Sequence, residues 1–325
     1  MGYPNNSPLT FTQGPGYVDE ILATTMSLYH PTLVDNIYIA IPTLSFLKKK
    51  GKKTSKGVSG VSIIIPVKFR KNTTAKMYSD DDVLDITRQQ NYTTAQYLWK
   101  QLAVTVVVTG LEATMNSGDQ AIIDLVSERL KDAELSGAEK LSTQLFNASA
   151  GSKDLIPLGT LVDATSSVGD INSSSYSWWQ AQAVTSGSFA AQGISDWRNG
   201  YNLCCQYSET DIPTFAVTTQ TVHQYYEGVL QPQERFMSTD KADAGFMKLQ
   251  FKGIPIVWDP SATSGTLWFL NDNHIELRVA SGKDFAAGKW IEPDNADTRV
   301  CKMLWYGALL CNERRKNCKI SSISA

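Results

Sequence analysis

A chain of 325 residues with 42% hydrophobic and 19% charged residues can fill one large core or two ordinary ones, which excludes a wholly disordered protein. The formal net charge of −2 excludes the broad basic excess of a protein that wraps nucleic acid by direct contact. The opening MGYPNNSPLTFTQGPGY has no charged stretch followed by an apolar run, so no secretion signal is expected. Runs such as Val104–Val108 are too short to span a bilayer. Asn6 stands where a myristoylation signal after Gly2 needs Ser or Thr. The five cysteines (Cys204, Cys205, Cys301, Cys311, Cys318) and three histidines (His30, His223, His274) show neither a C-x-x-C pair nor metal-site spacing. They read as buried or incidental thiols of a cytosolic chain with no zinc site and no disulfide framework.

In chain order, Gly, Pro, Asn and Ser punctuate the first sixteen positions and favour irregular, extended backbone. Tyr17–Leu28 is a short amphipathic candidate helix closed by His30-Pro31, and the apolar LVDNIYIAIPTLSFL after it needs another surface to lie on. The run Lys48-Lys49-Lys50-Gly51-Lys52-Lys53 reads either as a solvated loop or as an electrostatic contact with an acidic patch on a neighbour. GVSIIIPVKF and LAVTVVVT (Leu102–Thr109) are β-branched strands separated by a polar tract of about thirty residues, which is long for a loop. Taken as a pair they make a hairpin about 33 Å long, apolar on consecutive positions (Ile63-Ile64-Ile65, Val106-Val107-Val108) and in need of partners on both sides.

A proline-free stretch from Ser117 to about Phe146, with Asn116 or Ser117 as N-cap, predicts one helix of about 45 Å. Ile122, Val126, Leu130, Ala133, Gly137, Leu141 and Leu145 form its apolar stripe. That length nearly spans a compact chain with a radius of gyration of about 20 Å, which predicts an elongated shape. Beyond residue 150 the pattern shortens: a helix over Ile194–Glu209, a strand over Thr214–Thr219, and a helix over Val222–Leu230 ended before Pro232. Strands follow in KLQFKGIPIVWDP and TLWFLNDNHIELRVA, then a last strand or strand pair in RVCKMLWYGALLCNERRKNCKIS. The fold class is α+β with the long helix as its spine.

No G-x-S-x-G, H-E-x-x-H, Walker or G-x-G-x-x-G motif occurs, and the proline of Gly14-Pro15-Gly16 interrupts the amide array a phosphate loop needs. No catalytic residue, cofactor or metal ligand is assigned, and the chain reads as a non-enzyme. The competing reading is an α+β enzyme with an unrecognised site. Asp80-Asp81-Asp82 with Asp85 fails the calcium-loop pattern. These carboxylates read as a solvated tip, as an acidic tip docking on a neighbour's basic patch (Lys48–Lys56 or Arg314-Arg315-Lys316), or, third, as a metal site. Trp178-Trp179, in a turn-rich segment, reads as an interface pair.

The order of these parts resembles the major capsid proteins of tailed bacteriophages. The stretches HPTLVDNIYIAIPTLSFLKKKG, VTTQTVHQYYEGVLQPQERF, FKGIPIVWDP, TLWFLNDNHIELRV and WYGALLCNERRKNCKI are similar in wording to members of that family. The resemblance implies an N-terminal arm over 1–57, an extended loop over 58–110, and a peripheral segment over 111–154 with a spine helix near 115–147. An axial domain over 155–285 and a return to the peripheral domain over 286–325 complete it. It implies a shell subunit of the virion, assembled in host cytoplasm as hexamers and pentamers of itself. Such a shell encloses double-stranded DNA without sequence-specific binding, and scaffolding, decoration and portal proteins would be separate chains. An encapsulating compartment of the same fold is the alternative. The residues expected at subunit interfaces are Ile63, Ile65, Val104 and Val106 on the loop strands, Asp80, Asp81 and Asp82 at the tip, and Lys49 and Lys50.

Overall fold

The computed structural model describes residues 41–50, 60–115, 125–148, 150–206, 210–234 and 249–325. The arm expected over 1–57 therefore lies outside the described residues except for 41–50. There Pro42 opens helix α1 (Pro42–Lys50), a position where its missing N–H costs nothing. Leu44 and Leu47 of α1 are buried against the spine helix α3 (Leu125–Leu145) and two strands of the body.

Strand β1 (Ser62–Lys68) pairs antiparallel with β2 (Tyr92–Leu98), Ser62 opposite Leu98 and Lys68 opposite Tyr92. The expected partner, Leu102–Thr109, does something else. It forms β3 (Lys100–Thr109) and pairs with the distant strand β11 (Thr298–Cys311), Val104 opposite Met303 and Val106 opposite Cys301. The hairpin therefore ends at Leu98 rather than near 110. Burial explains the choice: β1 turns Ile63 and Val67 inward and matches Ala95 and Tyr97 of β2 on the same face. The missed signal was the β-branched and aromatic content of YTTAQYL (two Thr, two Tyr) inside a tract read as loop.

The spine helix buries Ala133, Gly137, Leu141 and Leu145 of the predicted stripe; its expected start at Ser117 lies outside the described residues. At 21 residues α3 is about 31 Å long. A Cβ on Gly137 would lie 2.3 Å from the Phe285 ring, so this glycine, unfavourable in a helix by about 1 kcal/mol, makes room for that ring. Arg129 of α3 donates to Val107 O of β3 (2.5 Å) and to Glu112 Oε1 (2.7 Å) of the short helix α2 (Gly110–Met115), tying spine to sheet.

Strand β11 is the centre of one sheet, with β3 on one side and β9 (Ile275–Val279) and β10 (Ala286–Ala287) on the other. A second, six-stranded mixed sheet runs β4 (Gln182–Thr185), β12 (Cys318–Ser321), β8 (Leu267–Leu270), β5 (Phe215–Thr218), β7 (Ile254–Trp258), β6 (Gln250–Phe251). Its central strands are buried on both faces, as their continuous apolar runs require. Phe215, Val217, Trp268 and Leu270 join the larger core with the spine helix. Ala216, Leu267 and Phe269 join a second core under helices α5 (Ile194–Cys205) and α6 (Gln220–Glu234). Helix α6 runs through Pro232 instead of stopping before it. One hydrogen bond lost in a last turn weighs little beside the burial of Val222 and Tyr226. Helix α4 (Leu158–Leu161) completes the α-helices among the described residues.

Strands β6 and β7 are joined by Lys252-Gly253, both at positive φ (49° and 81°), a two-residue turn whose twist matches the strands. Strands β8 and β9, consecutive in the chain, belong to different sheets, and the chain crosses between them at Asn271–His274.

Candidate assembly surfaces

Beyond β1 and β2 the loop continues as two limbs held by local bonds. Phe69 N donates to Asn91 O (3.0 Å), Thr73 N to Gln89 Oε1 (3.0 Å) and Lys76 Nζ to Val83 O (2.6 Å). Its tip is the Ser79–Asp82 turn, closed by Asp82 N to Ser79 O at 2.9 Å. Asp80, Asp81 and Asp82 are exposed there, as the solvated-tip and docking readings both required. Around them stand Met77 (99% exposed), Ile86 (96%), Val83, Tyr78 and Leu84. Exposed apolar side chains are thus clustered on this one loop rather than scattered singly.

The strand residues expected at interfaces divide by face. Ile63 (5% exposed) and Val106 (5%) are buried in this chain's own core, and Ile65 and Val104 pack against it. The open faces carry Ile64 (61%) and Val107 (43%) instead, because alternate residues of a strand point oppositely. Lys49 and Lys50 end α1, and their side chains, with all of 51–59, lie outside the described residues.

Arg314-Arg315-Lys316 is not the open basic patch that was expected. Arg314 is 1% exposed and donates to Leu161 O (2.9 Å), Ser166 O (2.9 Å), Thr160 O (3.1 Å), Asp163 O (2.7 Å) and Ser173 Oγ. Lys316, 2% exposed, donates to Asp211 O at 3.2 Å. A guanidinium with five N–H groups is the one side chain that can satisfy a loop's converging carbonyls, so these charges bind the chain to itself. Arg315 is half-exposed and paired with Glu313 at 2.6 Å. Beside this latch, Asp163 Oδ2 accepts from the amides and hydroxyls of Thr165 and Ser166 at 2.6 to 3.2 Å. Burial would raise its pKa; these bonds outweigh it and hold the carboxyl at about 2.

Trp179, suspected at an interface, is 1% exposed and donates from its ring to Val168 O at 2.9 Å, a core residue. Trp178 is half-buried and faces a cavity of about 560 Å³ with Phe69, Lys68, Arg70, Lys71 and Arg315. Four cysteines are buried and Cys205 half-buried, all as free thiols; burial pushes Cys311 up to about 12.

Among the described residues one group has metal-ligand chemistry, Asp211, His274 and Glu313, with ligand atoms within 4.8 Å of one another. Its atoms are already engaged. His274 joins Asn312 (2.7 Å) through Nδ1 and Asp211 through Nε2, Asn271 donates to Asp211 (2.6 Å), and Arg315 holds Glu313. Burial opposes ionisation of Asp211, but the bonds from His274 and Asn271 hold its pKa below the ordinary value. The group is a polar clasp at the crossing between the two sheets.

No family model matches the sequence, and no curated protein matches it. Solved structures do. A cyanophage A-1(L) capsid subunit shares a TM-score of 0.68 at 13% identity over 94% of this chain and 99% of that one. The chain has the tailed-phage capsid fold. The capsid of an empty GTA particle matches at 0.62 and 11% identity over 90% and 100%. The SrpI encapsulin of Synechococcus elongatus PCC 7942 matches at 0.57 and 9% over 95% and 96%. These similar structures are shell proteins, and the capsid fold spans nearly the whole chain and nearly the whole of each.

Proposed function

We propose that this chain is a major capsid protein that assembles with copies of itself, as hexamers and pentamers, into an icosahedral head around double-stranded DNA. The observation that carries the reading is the loop from Phe69 to Asn91. It holds Met77, Val83 and Ile86 almost fully in solvent, and its hydrogen bonds among the described residues run within the loop, an arrangement suited to a neighbour's surface and costly without one. The open strand faces with Ile64 and Val107, and the tip with Asp80, Asp81 and Asp82, are the proposed contacts, together with Lys49 and Lys50. Shell building asks for no catalytic site, and cofactors have no part in it. Scaffolding, decoration and portal proteins would be separate chains.

The test is to express the whole chain, size it, and image the largest fraction by electron microscopy. Closed shells, tubes or rings are expected. Replacing Met77, Val83 and Ile86 together by Ser should leave a folded subunit that forms none of them. A wild-type chain that stays a monomer with and without a co-expressed scaffold overturns the reading. Because an encapsulin shares the fold, the contents of purified shells decide between packaged DNA, expected here, and packaged enzyme.

A further inference from the structure

Helix α5 and strand β12 bring two thiols together inside the second core. The buried face of α5 carries Trp197, Gly200 and Cys204, and Cys318 opens β12 opposite Phe269 of β8. Both cysteines are fully buried. A Cβ on Gly200 would lie 3.0 Å from Cys318 Sγ, so that sulfur lies against the helix where the glycine leaves room. Cys204 stands one turn further along the same face, a step of about 5–6 Å between Cβ positions. There the two thiols share a hydrogen bond. That bond and burial push the Cys204 thiol well above its ordinary range, and the Lys316 ammonium acts in the opposite direction.

The other cysteines have different surroundings. Cys301 and Cys311 belong to the larger core, where Cys301 donates to Gly288 O (3.4 Å) and Cys311 Sγ accepts from Asn317 Nδ2 (3.7 Å). Cys205 is half-buried and hydrogen-bonded to Tyr201. Adjacent residues of a helix do not face each other, so Cys205 cannot bridge to Cys204 without unwinding the turn.

We propose that Cys204 and Cys318 form a redox-active dithiol, held as thiols in a reducing compartment and joined as a disulfide by a two-electron oxidant of the peroxide class. One sulfur, as the thiolate, attacks a peroxide oxygen. The O–O bond breaks, and the departing hydroxide takes up the proton that the thiol released, leaving a sulfenic acid and water. The second sulfur then attacks the sulfenic sulfur and expels its hydroxyl as a second water. The two thiols lose two electrons and two protons, and the peroxide is reduced to two waters. Burial makes the step slow, and it should quicken as pH rises because the thiolate is the reacting form. The bridge ties α5 to β12, which lies between β4 and β8 in the six-stranded sheet. It closes a loop of about 110 residues, a long constraint on the unfolded chain. The dithiol belongs to a single subunit and does not depend on the shell reading. Under that reading, the bridge would form once particles leave the reducing interior of a cell, strengthening each subunit after assembly is finished.

The experiment uses the purified full chain, reduced, freed of reductant and treated with millimolar hydrogen peroxide at mildly alkaline pH. Remaining thiols are alkylated under denaturing conditions, and peptides are mapped by mass spectrometry without reduction. In most chains Cys204 and Cys318 should escape alkylation and appear as one linked peptide pair, which dithiothreitol separates. The oxidised chain should unfold at a higher denaturant concentration than the reduced one, and Cys318→Ser should abolish both the linked pair and that shift. The wild-type map decides the matter even where Cys318→Ser fails to fold. Cys204 and Cys318 that remain open to alkylation, or that stop at sulfinic acid without a link, overturn the proposal, as does a link formed through Cys205. A chain that forms the bridge but never assembles removes the shell reading alone, and one that assembles without ever forming the bridge removes this inference alone.

Discussion

The loop tip and the turn between β11 and β12 are both short, densely charged segments, and the fold treats them oppositely. At Ser79–Asp82 three carboxylates are exposed, and among the described residues the turn's bonds are its own, Ser79 N to Asp82 Oδ2 and Asp82 N to Ser79 O. At Arg314–Lys316 two of three cations are buried and spend their donors on carbonyls from residues 160–166 and 211. A charge run thus says nothing by itself about docking. A buried cation is tolerated where enough acceptors converge on it, and where none do the charge remains available to a partner. The difference separates charges that hold this fold together from charges left exposed to solvent.

The sharpest way to break the comparison is Arg314→Ala. It would leave several buried carbonyls without a donor and should destabilise the unassembled subunit by about 3–5 kcal/mol, measured by denaturant unfolding. Arg314→Lys should rescue only part, because an ammonium has three donors for five acceptors. A loss under about 1 kcal/mol would remove the latch from this account.

A smaller effect should come from acid. The Asp163 carboxyl is held at about 2, below the ordinary value near 3.9. Its stabilising contribution is therefore complete above about pH 4 and is lost as pH falls toward 2, worth on the order of 1 kcal/mol once solvent screening is allowed for. Asp163→Asn should flatten that part of the stability profile; an unchanged profile would mean the Thr165 and Ser166 bonds carry no net weight.

The smallest effect on stability belongs to the tip. Asp80→Asn, Asp81→Asn and Asp82→Asn together should change subunit unfolding by less than about 0.5 kcal/mol while weakening assembly and reducing its salt dependence. A large loss of subunit stability would show that the tip belongs to the fold after all.

Much of this was legible in the chain. The stripe ending in Ala133, Gly137, Leu141 and Leu145 predicted the spine helix, because burial repeats with the helical period. The double-sided burial of β5 and β8 follows from runs such as LWFL. Asp80–Asp82 at an exposed tip was read correctly, since a run of carboxylates has few ways to be buried. Pairing was not legible: the strand with Val104 and Val106 could join any apolar partner, and only register and shared burial gave it β11 instead of β1. Nor was Trp179 or Arg314, since the acceptors they satisfy lie 11 and about 150 positions away. The sequence by itself determined the elements, their amphipathic faces and the exposed acid tip, because those depend on neighbours along the chain. Tertiary structure alone decided which strands meet, which cations are sealed inside, and that a basic cavity opens at the base of the loop, because each depends on groups brought together from distant parts of the chain.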